Sequence, residues 1–375
     1  VQVAPGAQAP PAPPAPPAPP APPAPPAPPA PPAPPAPPAP APVGVTAYRV
    51  EVPILAALPS QLRRADMVML GGMRSRMGDD DASGRPIASL TPVAGALSNE
   101  RHAWARAIYS DLDIRQSGIA NPSTQGHVSG LQAGTDLYVS QLGDWRAGVY
   151  VGHLDGDADM QGFASGLYRP VGSTDLRSRY LGAYATYANA TGFYVDTALQ
   201  YGSQRYTIRP LGAFAASGKG NSLTASVEVG QAFSLGGNWT IEPQAQLSYR
   251  RSKVDDLLIS GALVQQDDAN GWTAGLGVRV KGDFATAAGR LQPYGRIGVV
   301  HGNDAGDTVR FINGGFITPI ASASRFTSVE AAAGATLSVT KAVSVYGELG
   351  KVFATGGDTR VKSSVQGAVG VRVRW

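Results

Sequence analysis

The chain ends in the stretch Gln366-Gly-Ala-Val-Gly-Val-Arg-Val-Arg-Trp375, which alternates strictly between two kinds of side chain. One face carries Val369, Val371, Val373 and Trp375, and the other carries Ala368, Gly370, Arg372 and Arg374. Because successive side chains of a β-strand point to opposite faces, this stretch predicts a strand with one apolar and one cationic face. Such a strand suits the wall of a membrane β-barrel, and it equally suits the edge of a soluble β-sandwich.

The composition of the chain bears on the choice between a membrane barrel and a soluble sandwich. Of the 33 prolines among the 375 residues, 23 lie in the first 42, so the remainder is free to form sheet. No run of about 18 uncharged apolar residues occurs, which excludes a transmembrane helix but not a barrel, whose lipid-facing side chains occupy every second position. The net charge of +4 is spread along the chain and gives no argument for nucleic-acid binding. Without cysteine there is no disulfide framework and no thiolate metal site.

The first 47 residues form a proline-rich tract. Its Pro-Pro-Ala repeat predicts polyproline II or a disordered segment, and about 30 such residues would span roughly 100 Å. Two roles stay open for this tract, a semi-rigid spacer and a ligand for aromatic-lined grooves. In either role we expect it to be exposed on a surface.

Residues 48–102 are interpreted as a linker that contains one helix, from about Pro59 to Met77. Proline suits a first helical position, and the apolar residues Leu58, Leu62, Ala65 and Met69 recur at helical spacing. The helix is basic through Arg63, Arg64, Arg74 and Arg76. Its length of about 28 Å matches a bilayer core, so it suits a helix inside a pore, although an amphipathic surface helix has the same pattern.

Residues 103–375 contain twelve strand-like segments. They start near Ala103, His127, Asp144, Leu176, Gly192, Ser222, Trp239, Trp272, Arg290, Arg325, Ala342 and Lys362. Tight turns, as at Gly143-Asp144 and Thr340-Lys341, alternate with long polar connections at about 112–126, 156–175, 208–221, 253–271 and 301–324. Outer-membrane barrels have this asymmetry between short periplasmic turns and longer outside loops. The spacing therefore favours a 12-stranded antiparallel barrel over a soluble sandwich.

The residues from about 48 to 375 resemble the translocator domain of autotransporters, the proteins of type V secretion. Tyr48-Arg-Val-Glu-Val-Pro53 looks like the family's entry to the translocator unit, and Trp239-Thr-Ile-Glu-Pro-Gln-Ala-Gln-Leu-Ser-Tyr249 is the most specific match. Further motifs of the family match Gly130–Asp136, Tyr180–Thr186, Gly192–Asp196, Leu291–Tyr294 and Gly370–Trp375.

This resemblance implies an all-β membrane protein: twelve strands around a polar pore, a helix threading that pore, and a Gram-negative outer-membrane location with the N-terminal region at the cell surface. It implies partners as well: outer-membrane lipid, the barrel-assembly machinery, periplasmic chaperones and the chain's own passenger. The passenger is interpreted as an adhesin of the virulence type that contacts a host cell, and the chain as a monomer. Some family members cut their linker helix at an asparagine, but no asparagine lies between Ile54 and Gly78.

Two sets of residues are candidate sites. The pore-lining set, charged and inward by alternation, is Asp196, Glu242, Arg250, Arg279, Arg296, Glu330, Glu348, Arg372 and Arg374. The second set is the apolar face Val371, Val373 and Trp375, which the resemblance marks as the signal read by the assembly machinery. We expect no catalytic residue, cofactor or metal, because the four histidines lie at no ligand spacing and no nucleophile motif occurs. A passive porin and a barrel hydrolase remain the alternative functions.

Overall fold

The computed structural model describes residues 47–71, 100–304 and 306–375. The helix α1 is Glu51–Leu70. The strands are β1 His102–Gln116, β2 Ser123–Val139, β3 Trp145–Ala164, β4 Leu167–Ala188, β5 Phe193–Pro210, β6 Ala216–Gln231, β7 Phe233–Gly236, β8 Trp239–Val254, β9 Leu257–Ile259, β10 Ala262–Gln266, β11 Ala269–Gly282, β12 Phe284–Thr286, β13 Gly289–Asp304, β14 Asp307–Asn313, β15 Phe316–Ser322, β16 Phe326–Ser338, β17 Val343–Gly356 and β18 Thr359–Arg374. The proline-rich tract, Arg74 and Arg76 lie outside the described residues.

Within those residues, twelve long strands form one closed antiparallel barrel. They are β1–β6, β8, β11, β13 and β16–β18, and each pairs with the next long strand along the chain. Closure comes from β1 and β18, which pair from His102 opposite Arg374 to Gln116 opposite Thr359. A closed sheet has no free edge, which is the condition for crossing a bilayer with strands. The predicted 12-stranded barrel is confirmed.

The two ends of the barrel are built differently. At one end, named here the short-turn end, the strands are joined by brief turns such as residues 140–144, 189–192 and 339–342. At the other end, β9, β10, β14 and β15 form a separate antiparallel sheet in the order β15-β14-β10-β9. We call it the small sheet, and that end the small-sheet end.

The long connections expected at the small-sheet end are largely strand, so this expectation was wrong in detail. In the region 156–175, β3 and β4 continue to pair as far as Ala164 opposite Leu167. Ser165 and Gly166, with φ of 53° and 79°, make the tight turn, because positive φ at both central residues matches the twist of a hairpin. Polar outward side chains in this region therefore mark strands that continue into water.

A band of exposed apolar side chains encircles the outside of the barrel. Its members include Leu131, Val151, Leu181, Leu199, Leu223, Leu247, Leu276, Ile297, Leu349 and Val369. Aromatic pairs lie at both margins: Trp145 and Tyr187, with ring centroids 5.1 Å apart, at the short-turn margin, and Tyr249 and Trp272, 4.8 Å apart, at the other. An apolar band between two aromatic girdles is the outer surface of a membrane barrel.

The helix starts earlier than the sequence suggested. It begins at Glu51, so Pro53, not Pro59, lies in the first turn, where a missing N–H costs nothing. Pro59 lies in the helix interior and leaves the Leu55 carbonyl without its usual backbone donor; Gln266 Nε2 of β10 lies 3.5 Å from that oxygen. In the described part of the chain, no helix has the length and apolarity needed to cross a bilayer.

The main apolar core lies inside the barrel at the small-sheet end. Ile54, Leu55 and Leu58 of α1 are fully buried there against inward side chains of β3–β5 and against the small sheet. Val264 and Val309 are the small sheet's most buried contributions. The first half of α1 is thus held by apolar packing between the wall and the small sheet.

Several inward tyrosines pack on glycines of the neighbouring strand. A Cβ placed on Gly182 would lie 2.1 Å from Cζ of Tyr150, and one on Gly230 would lie 2.4 Å from Cε1 of Tyr194. Because real Cβ atoms do not approach so closely, these positions require glycine. The same contact recurs at Gly334 beside Tyr294, and it accounts for part of the glycine content of the barrel.

Candidate functional site

The candidate site is the lumen, which α1 occupies along its length. All but two of the helix residues are buried, and the helix lies closest to β1–β5, β14 and β15. Its N-terminal residues lie in the core at the small-sheet end, and Leu70 packs with Trp104, Tyr150 and Tyr194 toward the short-turn end. The chain therefore runs inward from the small-sheet end.

Asp66 is the main polar anchor of the helix. Its side chain is fully buried and accepts a hydrogen bond from Arg250 Nε of β8 at 2.5 Å and from Gln204 Nε2 of β5 at 2.9 Å. Its backbone carbonyl accepts from Gln200 Nε2 at 3.1 Å. A buried carboxylate is tolerated only when it is paired and hydrogen-bonded, and Asp66 meets both conditions.

The two described arginines of the helix are held differently. Arg63 Nη2 donates to Asp307 Oδ1 of β14 at 2.7 Å, and both side chains are buried. Arg64 Nη2 donates to Gln366 Oε1 at 3.2 Å and lies 3.4 Å from Ser110 Oγ. The first contact ties the helix to the small sheet, and the second ties it to the seam between β1 and β18.

Uncharged polar groups complete the attachment of α1 to the wall. Gln61 accepts from Thr174 Oγ1 at 2.9 Å and donates to Thr124 Oγ1 at 3.2 Å. At the end of the helix, the Met69 carbonyl accepts from Arg106 and from Gln132, both at 3.2 Å. These bonds satisfy helix groups that would otherwise be buried without a partner.

The wall opposite the helix carries its own charge network. Arg296 lies between two glutamates, 2.9 Å from Glu348 Oε1 and 3.3 Å from Glu330 Oε2. Tyr294 donates to Glu348 at 3.0 Å, and the guanidinium of Arg279 lies 4.8 Å from the centre of the Tyr294 ring. A cavity of about 200 Å³ lies between this network and the helix, so the residues that the structure describes leave space on that side of the lumen.

The remaining predicted lumen residues are buried or half-buried in the wall. Asp196 is buried and accepts from Thr186 Oγ1 at 2.6 Å. Glu242 and Arg372 are buried, Arg374 is half-buried, and Arg372 lies 3.4 Å from Ser344 Oγ. Arg63 of the helix pairs with Asp307 of β14, which is not a member of the predicted pore-lining set. The role of these side chains as a pore lining stays a prediction.

A second buried cluster, at the short-turn end, was missed by the sequence analysis. Asp136 pairs with Arg146 at 2.7 Å and accepts from Tyr184 Oη at 2.7 Å and from the His102 backbone N–H at 3.0 Å. Alternation alone could have placed these side chains inward, since each occupies an inward position of its strand. Asp66 also had a signal, because it is the single acidic residue among the four arginines of the predicted helix.

The face Val371, Val373 and Trp375 is exposed on the outside of the barrel. The Trp375 backbone pairs with Arg101 through N–H···O bonds of 3.1 and 3.0 Å, which extend the seam between β1 and β18. Its role as an assembly signal stays a prediction, which Trp375→Ala tests by comparing barrel assembly in cells with refolding in detergent.

Three named relatives are similar to this chain. The BrkA autotransporter of Bordetella pertussis (strain Tohama I) is 29% identical over 248 residues, which are 63% of this chain and 24% of that protein. The pertactin autotransporter of Bordetella bronchiseptica is 31% identical over 230 residues, 59% and 23% of the two chains. The adhesin BmaC autotransporter of Brucella suis biovar 1 is 26% identical over 352 residues, 88% and 10%. The chain thus spans about a quarter of the relatives' length, or less.

Solved structures share the fold. The beta domain of the Bordetella autotransporter BrkA superposes with a TM-score of 0.59 at 24% identity, covering 74% of this chain and 100% of that one. The translocator domain of the autotransporter NalP from Neisseria meningitidis gives 0.58 at 14% identity, covering 86% and 100%. The Autotransporter beta-domain family model matches residues 103–350, from β1 into β17. That match covers most of the barrel, and the chain therefore belongs to the autotransporter beta-domain family, whose barrel lies in the outer membrane.

Proposed function

We propose that this chain is the outer-membrane translocator of its own N-terminal passenger, which it delivers to the cell surface and holds there. The observation that carries the proposal is the path of α1. The helix lies in the lumen and enters it from the small-sheet end, where Tyr48, just before the helix, packs with the small sheet.

The orientation in the membrane follows from the two ends. Short turns of outer-membrane barrels face the periplasm and the longer connections face outward. The small-sheet end then faces the outside, and so does the start of α1. Arg49, just before the helix, pairs with Glu51 and donates to the Ser260 carbonyl of the β9–β10 turn at 2.5 Å, which supports a fixed point of entry.

Adhesion is the proposed role of the passenger. One relative is named an adhesin, and its similarity extends over 88% of this chain. A proline-rich tract of roughly 100 Å would hold a binding domain clear of the membrane. Barrel-assembly machinery and periplasmic chaperones are the proposed partners during insertion.

A passive porin is the second candidate, and the cavity of about 200 Å³ beside the helix favours it. The buried ion pairs between α1 and the wall oppose it, because a simple diffusion pore has no use for a helix fixed in its lumen. Export of a passenger therefore remains the better account.

Epitopes inserted at three positions test the proposal. We expect an epitope after Gly44 and one at the Gly314-Gly315 turn of the small sheet to be labelled on intact cells. An epitope in the Thr340-Lys341 turn at the short-turn end should be labelled only after permeabilisation. Labelling of the third site on intact cells, or of the first only in permeabilised cells, would contradict the proposed direction of export.

A further inference from the structure

A row of basic side chains lies on the outside of the barrel, directly above the apolar band at the small-sheet side. In the last apolar row, Val151, Leu181, Tyr201 and Leu223 are cross-strand neighbours on β3–β6. Two residues further along, β3 and β4 carry His153 and Arg179, whereas β5 and β6 carry the uncharged Ser203 and Asn221. Four residues further along, β4, β5 and β6 carry Arg177, Arg205 and Lys219, so basic side chains occupy two successive rows. The belt consists of Arg177, Arg179, Arg205, Lys219 and Lys253, all exposed, and we call it the cationic belt.

Three members of the belt face each other directly. Arg205 of β5 is the cross-strand partner of Arg177 on β4 and of Lys219 on β6. Side chains in this relation have Cβ atoms about 5 Å apart, and like charges so placed destabilise a sheet. Within the described residues, Arg179, Arg205, Lys219 and Lys253 form no ion pair, so the repulsion is not relieved inside the protein.

The belt is short of acidic partners. Asp155, the cross-strand partner of Arg177, already accepts from Arg177 Nε at 3.1 Å and contacts His153 at 2.9 Å. Desolvation raises the pKa of Asp155, but the hydrogen bonds from Arg177 and His153 outweigh it and hold that pKa below its ordinary value. The carboxylate is therefore ionised and occupied, and the other four cations are left for an external anion.

An apolar groove meets the belt at Arg179. The groove, about 970 Å³ in volume, runs across the outer face of β18, β1, β2 and β3 and ends at His153 and Arg179. Small side chains, Ala105, Ala107 and Ala133, leave room between Leu131 and Val151 on one side and Val369 and Val371 on the other. A shallow apolar groove on the lipid-facing surface fits a hydrocarbon chain.

We propose that the groove and the cationic belt together form a binding site for a phosphorylated, multiply acylated lipid of the outer leaflet. The phosphate groups lie on Arg179, Arg205 and Lys219, and an acyl chain lies in the groove. Arginine and lysine suit this task, because their charge-assisted hydrogen bonds to phosphate are strong and the belt lies at headgroup depth. The lipid anions also relieve the repulsion along the row.

The test uses the full chain in neutral detergent. The probes are a diphosphorylated, six-chain disaccharide lipid (lipid A) and the same lipid after enzymatic removal of both phosphates, with bound lipid counted by native mass spectrometry. The test variant is R179Q/R205Q/K219Q. The control is R115Q/R360Q/K362Q, which removes the same charge from exposed sites on β1 and β18 where Asp113 supplies an acid.

We expect the wild-type protein to prefer the phosphorylated probe. Each cation near a lipid surface contributes about fivefold in affinity. The affinity for the phosphorylated probe should therefore fall about 100-fold in the test variant and about twofold or less in the control. Without lipid, the test variant should be at least as stable as wild type in heat-modified gel mobility, because like charges have been removed. Arg179→Gln alone, with about a fivefold loss, serves if the triple variant fails to fold.

Two results would overturn the proposal. Equal affinity for the phosphorylated and dephosphorylated probes, or an equal loss in test and control variants, would remove the phosphate site. If a soluble acidic polysaccharide bound wild type but not the test variant, while lipid binding stayed unchanged, the belt would be a glycan-binding surface.

Discussion

At the scale of single residues, Asp66 explains why a helix rich in polar groups is stable inside the barrel. It is fully buried, and its two carboxylate oxygens contact side chains of two different strands, Arg250 on β8 and Gln204 on β5. Removing one member of a buried ion pair leaves an uncompensated charge, which costs more than the pair contributes. The contact therefore fixes the rotation of α1 about its own axis.

Arg250→Gln is the corresponding prediction. The free energy of unfolding of the variant should fall by about 3–5 kcal/mol, because Asp66 stays buried without its cationic partner. The double variant D66N/R250Q should recover most of this loss. Thermal unfolding in detergent, followed by heat-modified gel mobility, measures both.

The neighbouring arginine supplies the control. Arg251 of the same strand pairs with Asp268 at 3.0 Å, but both side chains are exposed. Arg251→Gln should therefore lower the free energy of unfolding by about 1 kcal/mol or less. Equal losses for Arg250→Gln and Arg251→Gln would argue against a structural role for the buried pair.

At the scale of elements, α1 is an insert held in a barrel that closes without it. The strand pairing from β1 round to β18 uses no residue of the helix, and the glycine–tyrosine contacts lie within the wall. Apolar packing holds both halves of the helix, and hydrogen bonds to the wall are added in the second half. We therefore expect the barrel to survive loss of the helix with a wider lumen.

Deletion of residues 51–70 tests this expectation. The single-channel conductance in planar bilayers should rise several-fold, because the lumen is left with water and its charged wall. Arg251→Gln is the matched control, since its side chain is exposed outside the lumen and the helix keeps all its contacts. Equal conductance of the deletion variant and wild type would show that α1 does not obstruct the lumen.

The helix and the strands differed in how far the sequence could predict them. Strand alternation is repeated twelve times, and the outward polarity of a strand depends on its own residues, so the barrel was predictable from local pattern. The start of α1 was not predictable in this way, because Pro53 and Pro59 both suit the first turn of a helix. The partner of Arg63 was not predictable either, because Asp307 lies 244 positions away, in a region expected to be a long polar connection.

At the scale of the whole molecule, α1 is the element that occupies the lumen among the described residues 47–71, 100–304 and 306–375. The helix lies against β1–β5, the small sheet packs on its first half, and about 200 Å³ remains on the other side. An extended polypeptide in transit needs more room than this cavity gives. A passenger therefore cannot pass through the lumen while α1 and the small sheet are in this closed arrangement.

A ratio of two labels tests this exclusion. An epitope after Gly44 reports the delivered segment, and one at Gly314-Gly315 reports the barrel. The surface ratio of the two should stay at one across expression levels and over time after induction. A ratio that climbs with time would mean that one barrel exports more than one chain.

The Arg63–Asp307 pair, which fastens the helix under the small sheet, has a consequence for the cell. Under the proposed function, a carrier whose cargo is its own covalent extension, and whose lumen is then occupied by its own helix, has no turnover. The number of molecules displayed is then set by gene expression and by membrane area, as for a structural fibre, and no increase in the speed of any single carrier can raise it.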